Sequence, residues 1–322
     1  MPPASTGVAA STSAWAGIHV QGRDARSFLQ GQLTQDLRAL TAGAALRAAL
    51  CSIQGRVIAC AWLAETAPAA GEPGVWIVLP GELAEPAAAV LRRYVLRAKL
   101  RISTADGHAS VRTWLADDSA VLDTLLARDV AVPAALAVCH RADMTWLRAG
   151  PRRALSIVTD APRSGATESP APAGLRIADP SSFELAAIRD GEPMVFAATR
   201  EHWVPQMLNL DLIGGISFAK GCYTGQEIVT RTQHRGQIKR RMLRYAAHGT
   251  APPAPGDPVL SATGRAGEIV RAAADGSGVE LLAVVSLDHT TSPLSLENGT
   301  PLLPQPLPYS LDADHGARPF RG

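Results

Sequence analysis

Residues 220–227, KGCYTGQE, set a lysine, a cysteine, a tyrosine, a glutamine and a glutamate around two glycines. Glycines reach backbone angles closed to other residues and let a ligand or a second chain segment approach the backbone closely. In an extended segment Lys220 and Cys222 share a face, and a lysine beside a cysteine favours the thiolate. The competing reading makes Cys222 a small buried hydrophobe and Lys220 a surface charge. Before the stretch runs an apolar segment, 208–218, broken by Asn209, Asp211 and a glycine pair; after it come IVTR and a basic run, 234–244. Such a stretch reads as a site between the end of one buried element and the start of another.

Outward from there, the pattern predicts an α+β chain. Toward the C-terminus, TAPPAPGDP at 250–258 reads as a linker. Residues 259–273 and 279–288 follow as short strands with glycine turns, a small β-barrel or sandwich, and from Pro301 a proline-rich tail is expected to fray. Toward the N-terminus, a helix is predicted near 183–190 with Gly191 at its C-terminal end, after a Pro/Ser/Gly-rich loop at 160–174. Strands are expected near 111–115, 144–147 and 154–158, with a helix at 119–126. In the first third, Ile18 and Val20 alternate as in a strand, and Asp24 is placed to cap a helix through Phe28, Leu29 and Leu33. Paired strands at 46–65 turn at Gln54–Gly55; a strand at 75–80, a helix at 83–99 and a strand at 100–106 follow. Helices covering one face of largely antiparallel sheets is an α+β arrangement. No internal repeat is visible.

At 322 residues the chain exceeds one simple core, and 47% hydrophobic with 19% charged residues is ordinary for a soluble globular protein. No apolar window reaches the ~18 residues of a membrane helix. The opening residues lack a secretory n-region and are read as a disordered lead-in, so a cytoplasmic protein is expected. A net charge of +2 points to no polyanionic partner. Cys51, Cys60, Cys139 and Cys222 form no C-x-x-C pair and no zinc spacing, so no metal site and no disulfide scaffold is expected.

The run 220–242, with VPQMLNLDLIGGISF at 204–218 before it, resembles the signature of the YgfZ family, folate-binding proteins related to the aminomethyltransferase (T-protein) of the glycine cleavage system. Further matches at 15–36, at QGRV (54–57) and at 91–102 extend the resemblance over most of the chain. It implies two interleaved α+β lobes and a C-terminal β-barrel in a ring around a folate channel. The expected division is a lead-in at 1–13, lobes at 14–110 and 111–245 (the second carrying KGCYTGQE), a barrel at 246–302 and a tail at 303–322.

The resemblance also implies roles. Cys222 becomes a nucleophilic or redox thiol with Lys220 holding it ionised, the alternative being a loop that only shapes the ligand pocket. Lys220, Cys222, Tyr223, Gln226 and Glu227 are expected to bind folate, tetrahydrofolate or a derivative. Gln226 and Glu227 can exchange hydrogen bonds with a pterin, or simply form a helix N-terminal turn. Trp15 matches a tryptophan lining the folate site, and Phe183 stands where the family has a second one, keeping the flat face but losing the indole N–H. Where the aminomethyltransferases carry paired aspartates, Ala59 and Cys60 stand, so glycine-cleavage aminomethyl transfer is not expected. The implied function is assembly or repair of iron–sulfur enzymes, with tRNA-thiolating radical enzymes as transient partners; the alternative is a folate-dependent one-carbon transferase on an unknown acceptor. His234, Arg235, Lys239, Arg240, Arg241 and Arg244 could meet a polyglutamyl tail or RNA, but without interleaved aromatics direct nucleic-acid binding is not expected.

Overall fold

A computed structural model describes residues 14–67, 71–104, 109–126, 136–141, 144–159, 173–235 and 238–311. The lead-in, nearly all of the 160–174 loop and the end of the tail lie outside these residues.

The first lobe contains β1 (Trp15–Gln21), α1 (Ala25–Gln30), β2 (Leu46–Cys51), β3 (Val57–Glu65), β4 (Gly74–Pro80), α2 (Gly81–Arg93) and β5 (Arg101–Thr104). The strands form one antiparallel sheet in the order β2-β3-β4-β1-β5. β3, VIACAWLAE, is buried at every position but its last, so its apolar run does not alternate. α2 packs Leu83, Val90 and Leu91 inward but stops at Arg93, short of the expected Lys99. The cause is local. Lys99 has to pass Gly22, where a Cβ would stand 2.4 Å from the Lys99 carbonyl, and its N–H donates to the Asp24 carboxylate at 2.7 Å. Asp24 therefore anchors the approach to β5, and its side chain makes no cap on α1.

In the second lobe, β6 (Ala109–Ala116), α3 (Ser119–Leu126), β7 (Val138–Arg141), β8 (Met144–Arg148), β9 (Arg153–Thr159) and β10 (Leu175–Ile177) build a second antiparallel sheet, ordered β10-β6-β9-β8-β7. Counting strands from the start of each lobe, both sheets read 2-3-4-1-5. The lobes are thus topological duplicates although no repeat is visible in the sequence. A strand order depends on where turns and apolar faces fall, and many sequences satisfy the same pattern. β7 and β10, four and three residues long, fall below what alternation reveals.

α4 (Pro180–Arg189) starts at Asp179, whose side chain accepts from Ser182 N, and ends before Gly191 at φ 64°. An irregular segment then leads to α5 (Gln226–Arg235). It does not stay with the second sheet. Ser217 N donates to Thr34 O, Thr34 Oγ1 to Gly215 O, and Thr224 N to Gly31 O, which lays KGCYTGQE on the first lobe. The expected assignment of this stretch to a lobe at 111–245 is corrected on that point.

The third unit is a closed barrel of β11 (Arg240–His248), β12 (Pro258–Ser261), β13 (Gly264–Ala274), β14 (Gly278–Ser286), β15 (Leu294–Leu296) and β16 (Pro301–Gln305), ordered β11-β14-β13-β12-β15-β16. It begins earlier and ends later than expected. Pro301 does not begin a frayed tail; it opens β16, which pairs with β11 and β15 and closes the barrel. Beyond it Leu307 packs on the main core and the Tyr309 hydroxyl donates to Gly191 O at 2.8 Å.

The three units meet at α4 and the residues after it, where each sheet contributes one arginine. Arg47 of β2 holds Glu192 through Nε at 2.8 and 2.9 Å. Arg153 of β9 donates to Asp190 at 2.6 Å, and Arg271 of β13 donates to Glu184 and to Glu192 O. Arg153 and Arg271 are fully buried, and guanidinium groups tolerate this because each finds a carboxylate.

Candidate functional site

At the same junction lies a cavity of about 700 Å³, within the range of small-molecule sites. Trp15 from β1, Arg112 and Thr113 from β6, Phe183 and Glu184 from α4, and Arg271 from the barrel all line it. Trp15 lies between Trp62 (centroids 5.1 Å apart, planes at 55°) and Phe183 (5.9 Å, 71°). The Arg153 guanidinium carbon sits 5.3 Å from the centre of the Phe183 ring. Trp15 is 5% and Phe183 1% exposed, so they offer the cavity a narrow aromatic strip and not two open stacking faces. The two aromatic positions named from the sequence are therefore brought together. Glu184 and Arg271 were missed. Glu184 directly follows Phe183, which is a usable signal; Arg271 sits in an unremarkable strand and gives none.

KGCYTGQE does not line this cavity. Its glycine Gly225 packs against Ser52 and Gly55 in the β2–β3 turn, while Trp62 lies five residues beyond Val57 along β3. At ~3.3 Å per residue the two places are roughly 16 Å apart along that strand. KGCYTGQE and this cavity therefore stand at separate places along β3.

Within the loop, burial is the reverse of the competing reading: Lys220 is 6% exposed and Cys222 is exposed. The Lys220 ammonium donates to Gln30 O at 2.7 Å, Leu33 O at 2.6 Å and Gln35 O at 2.8 Å, and lies 5.1 Å from the centre of the Tyr223 ring. Three N–H groups meet three carbonyls, so none remains for the Cys222 sulfur. Lys220 instead ties off the C-terminal end of α1, where a cation is favoured. Burial is the main cause that brings this ammonium down to about 8. Tyr223 is buried with its hydroxyl unpartnered among the described residues, and burial pushes the phenol well up. Gln226 Oε1 accepts from Tyr223 N at 3.2 Å, and Glu227 stands exposed in the first turn of α5, the arrangement of a helix N-terminal turn.

Ala59 and Cys60 are buried in β3, and no carboxylate stands at either place. Burial pushes the Cys60 thiol strongly up. The basic run also divides. Arg241 is buried in a two-point ion pair with Asp211 (2.7 and 2.9 Å), and Arg244 holds Glu280, whereas His234, Lys239 and Arg240 are exposed. Two of the six charges in the apparent patch, Arg241 and Arg244, are thus taken up by internal ion pairs.

Glycine cleavage system aminomethyltransferase T from Bartonella henselae superposes on the chain with a TM-score of 0.58 at 14% identity, covering 92% of this chain and 84% of that one. Two sheets, a closed barrel and a cavity at their junction thus define a protein with the aminomethyltransferase T fold. No family model matches. A tRNA-modifying protein YgfZ from Edwardsiella ictaluri is 31% identical over 307 residues, covering 92% of this chain and 91% of its own length. The proteins of that name from Shigella dysenteriae and Escherichia coli O157:H7 are each 27% identical over 306 residues, with 92% of either chain covered. The chain belongs to the YgfZ family. No helix among the described residues is long and apolar enough to cross a membrane.

Proposed function

We propose that the cavity binds a folate, tetrahydrofolate or a derivative, and that the protein serves the assembly or repair of iron–sulfur enzymes, including those that methylthiolate tRNA. The observation that carries the reading is the cavity itself, which joins an aromatic strip (Trp15, Phe183), a carboxylate (Glu184) and cationic groups (Arg112, Arg271) at the meeting of three units. These residue types fit the group: the strip covers a flat ring, Glu184 accepts from ring N–H groups, and an arginine suits a glutamate tail. Bound folate supplies a one-carbon carrier. The tRNA-modifying name of the relatives supports the link to tRNA modification; iron–sulfur enzymes are the transient partners this reading assigns. Cys222, exposed at the far end of β3, is assigned the sulfur- or iron-interacting role, apart from the folate.

The one-carbon transferase is the weaker reading. Its best-known form needs a carboxylate where β3 carries buried Ala59 and Cys60, and the carboxylate that lines the cavity, Glu184, is held by Arg271.

One experiment separates the parts. Trp15→Phe and Cys222→Ala are titrated with tetrahydrofolate by tryptophan fluorescence and tested for restoring tRNA methylthiolation to cells lacking the protein. The expected outcome is saturable wild-type binding, at least ~10-fold weaker in Trp15→Phe, with Cys222→Ala binding normally but failing to restore methylthiolation. Absence of saturable wild-type binding at millimolar ligand defeats the folate assignment, and full restoration by Cys222→Ala defeats the thiol's role.

A further inference from the structure

We propose that Arg271 is a positioning residue: from the barrel it turns Glu184 so that one carboxylate oxygen faces the cavity, and so sets which ring edge a ligand must present. The inference rests on the reading of the cavity as a folate site.

Arg271 donates twice to the same oxygen, Glu184 Oε2, from Nε at 2.8 Å and from Nη2 at 2.5 Å. Its Nη1 donates to Glu192 O at 3.0 Å, which fixes the guanidinium plane from a third point. Glu184 Oε1 has no hydrogen-bond partner among the described residues, and the side chain, 24% exposed, lines the cavity. Two bonds to one oxygen orient the carboxylate while leaving the other oxygen's lone pairs free.

The barrel reaches out in this way because of an irregularity in β13. The pairing of β13 with β14 shifts register between Ile269 and Arg271, leaving Val270 extra. Ile269 belongs to the barrel's interior cluster and Val270 to the main core outside it, yet Arg271 follows Val270 outward to Glu184 in α4. In a regular strand Arg271 would have pointed into the barrel; bulges re-aim side chains in this manner.

A fixed carboxylate oxygen accepts from a ring N–H or an exocyclic amino group and repels a carbonyl edge. The ligand class is therefore a fused heterocycle with an amino-substituted, N–H-bearing edge. Sites that hydrogen-bond such a group reject analogues lacking it strongly, since their own polar group is left unpaired.

The test compares tetrahydrofolate with its 2-desamino analogue, and with tetrahydropteroate, on wild type, Arg271→Met and Arg271→Lys, with Tm recorded for each. Wild type is expected to prefer the amino compound by at least ~10-fold. Arg271→Met should reduce that ratio to within ~3-fold, and Arg271→Lys, which keeps the charge but not the planar fork, should fall between. A role confined to stability would lower Tm and leave the ratio unchanged. Retention of the wild-type ratio in Arg271→Met overturns the proposal, as does a loss limited to glutamate-bearing ligands, which would mean that Arg271 grips the tail itself. If Arg271→Met does not fold, an unchanged ratio in Arg271→Lys overturns it equally. Failure of wild type to bind any of the three ligands instead removes the folate reading on which the proposal stands.

Discussion

At Gly225 the chain takes a φ of 82°, and a Cβ there would stand 2.4 Å from Ser52 O, whereas nothing lies within 4 Å of the same position at Gly221. Gly225→Ala combines a strained backbone angle with a collision against the β2–β3 turn and is expected to cost at least ~2 kcal/mol. Gly221→Ala should fall within ~0.5 kcal/mol of wild type. Urea unfolding of the two variants checks the contrast, and equal losses would contradict it. In the sequence these glycines are equivalent, because what distinguishes them is a turn some 170 residues away. The same holds for Lys220: the motif shows a lysine near a cysteine, but the carbonyls that claim its protons belong to residues 190, 187 and 185 positions away. Residue identities at the site were legible, and the partners of those residues were not.

The paired strands β2 and β3 carry two buried thiols, Cys51 and Cys60. Burial pushes Cys51 up to about 12 from 9.0, and Tyr245 and Tyr309 up to about 12 from 10.0. Above pH 9 the unfolded chain releases these protons while the folded chain keeps them. Stability therefore falls as pH rises, by about 1.4 kcal/mol per pH unit for each fully uncoupled group. Lys220 acts with the opposite sign. Its folded value of about 8 lies below 10.5, so between these pH values the unfolded chain holds more protons and stability rises. The expected profile is nearly flat from pH 8 to 9 and then falls increasingly steeply above 10, as the tyrosines join the thiols. Chemical denaturation between pH 8 and 11 measures it, and a stability still rising at pH 10.5 would show these groups are not buried in solution. Elements of this kind were readable from the sequence, since long apolar runs and glycine turns mark β3, β4, β13 and β14 directly. Less visible were elements whose ends are set by distant contacts. α2 stops early because Lys99 must meet Gly22 and Asp24, and Pro301 and Pro304 enter a strand whose need is apparent only once the barrel closes.

For the whole molecule, the two lobes repeat one strand order, and this could be recognised only after the sheets were assembled. The barrel joins them through Arg271, and the lobes join α4 and Glu192 through Arg47 and Arg153. This convergence has a consequence for the way the protein comes apart. No unit can detach without leaving a buried guanidinium or carboxylate unpaired, a loss of about 3–5 kcal/mol per broken pair. Partial unfolding that frees one sheet is penalised at the place where the other two are held. Although its length and three-part build suggest stepwise melting, the protein should unfold in one transition, with calorimetric and van 't Hoff enthalpies equal. Two resolved heat-capacity peaks would contradict this, and Arg153→Met, which cuts the tie of one sheet alone, is the substitution expected to split the single peak into two.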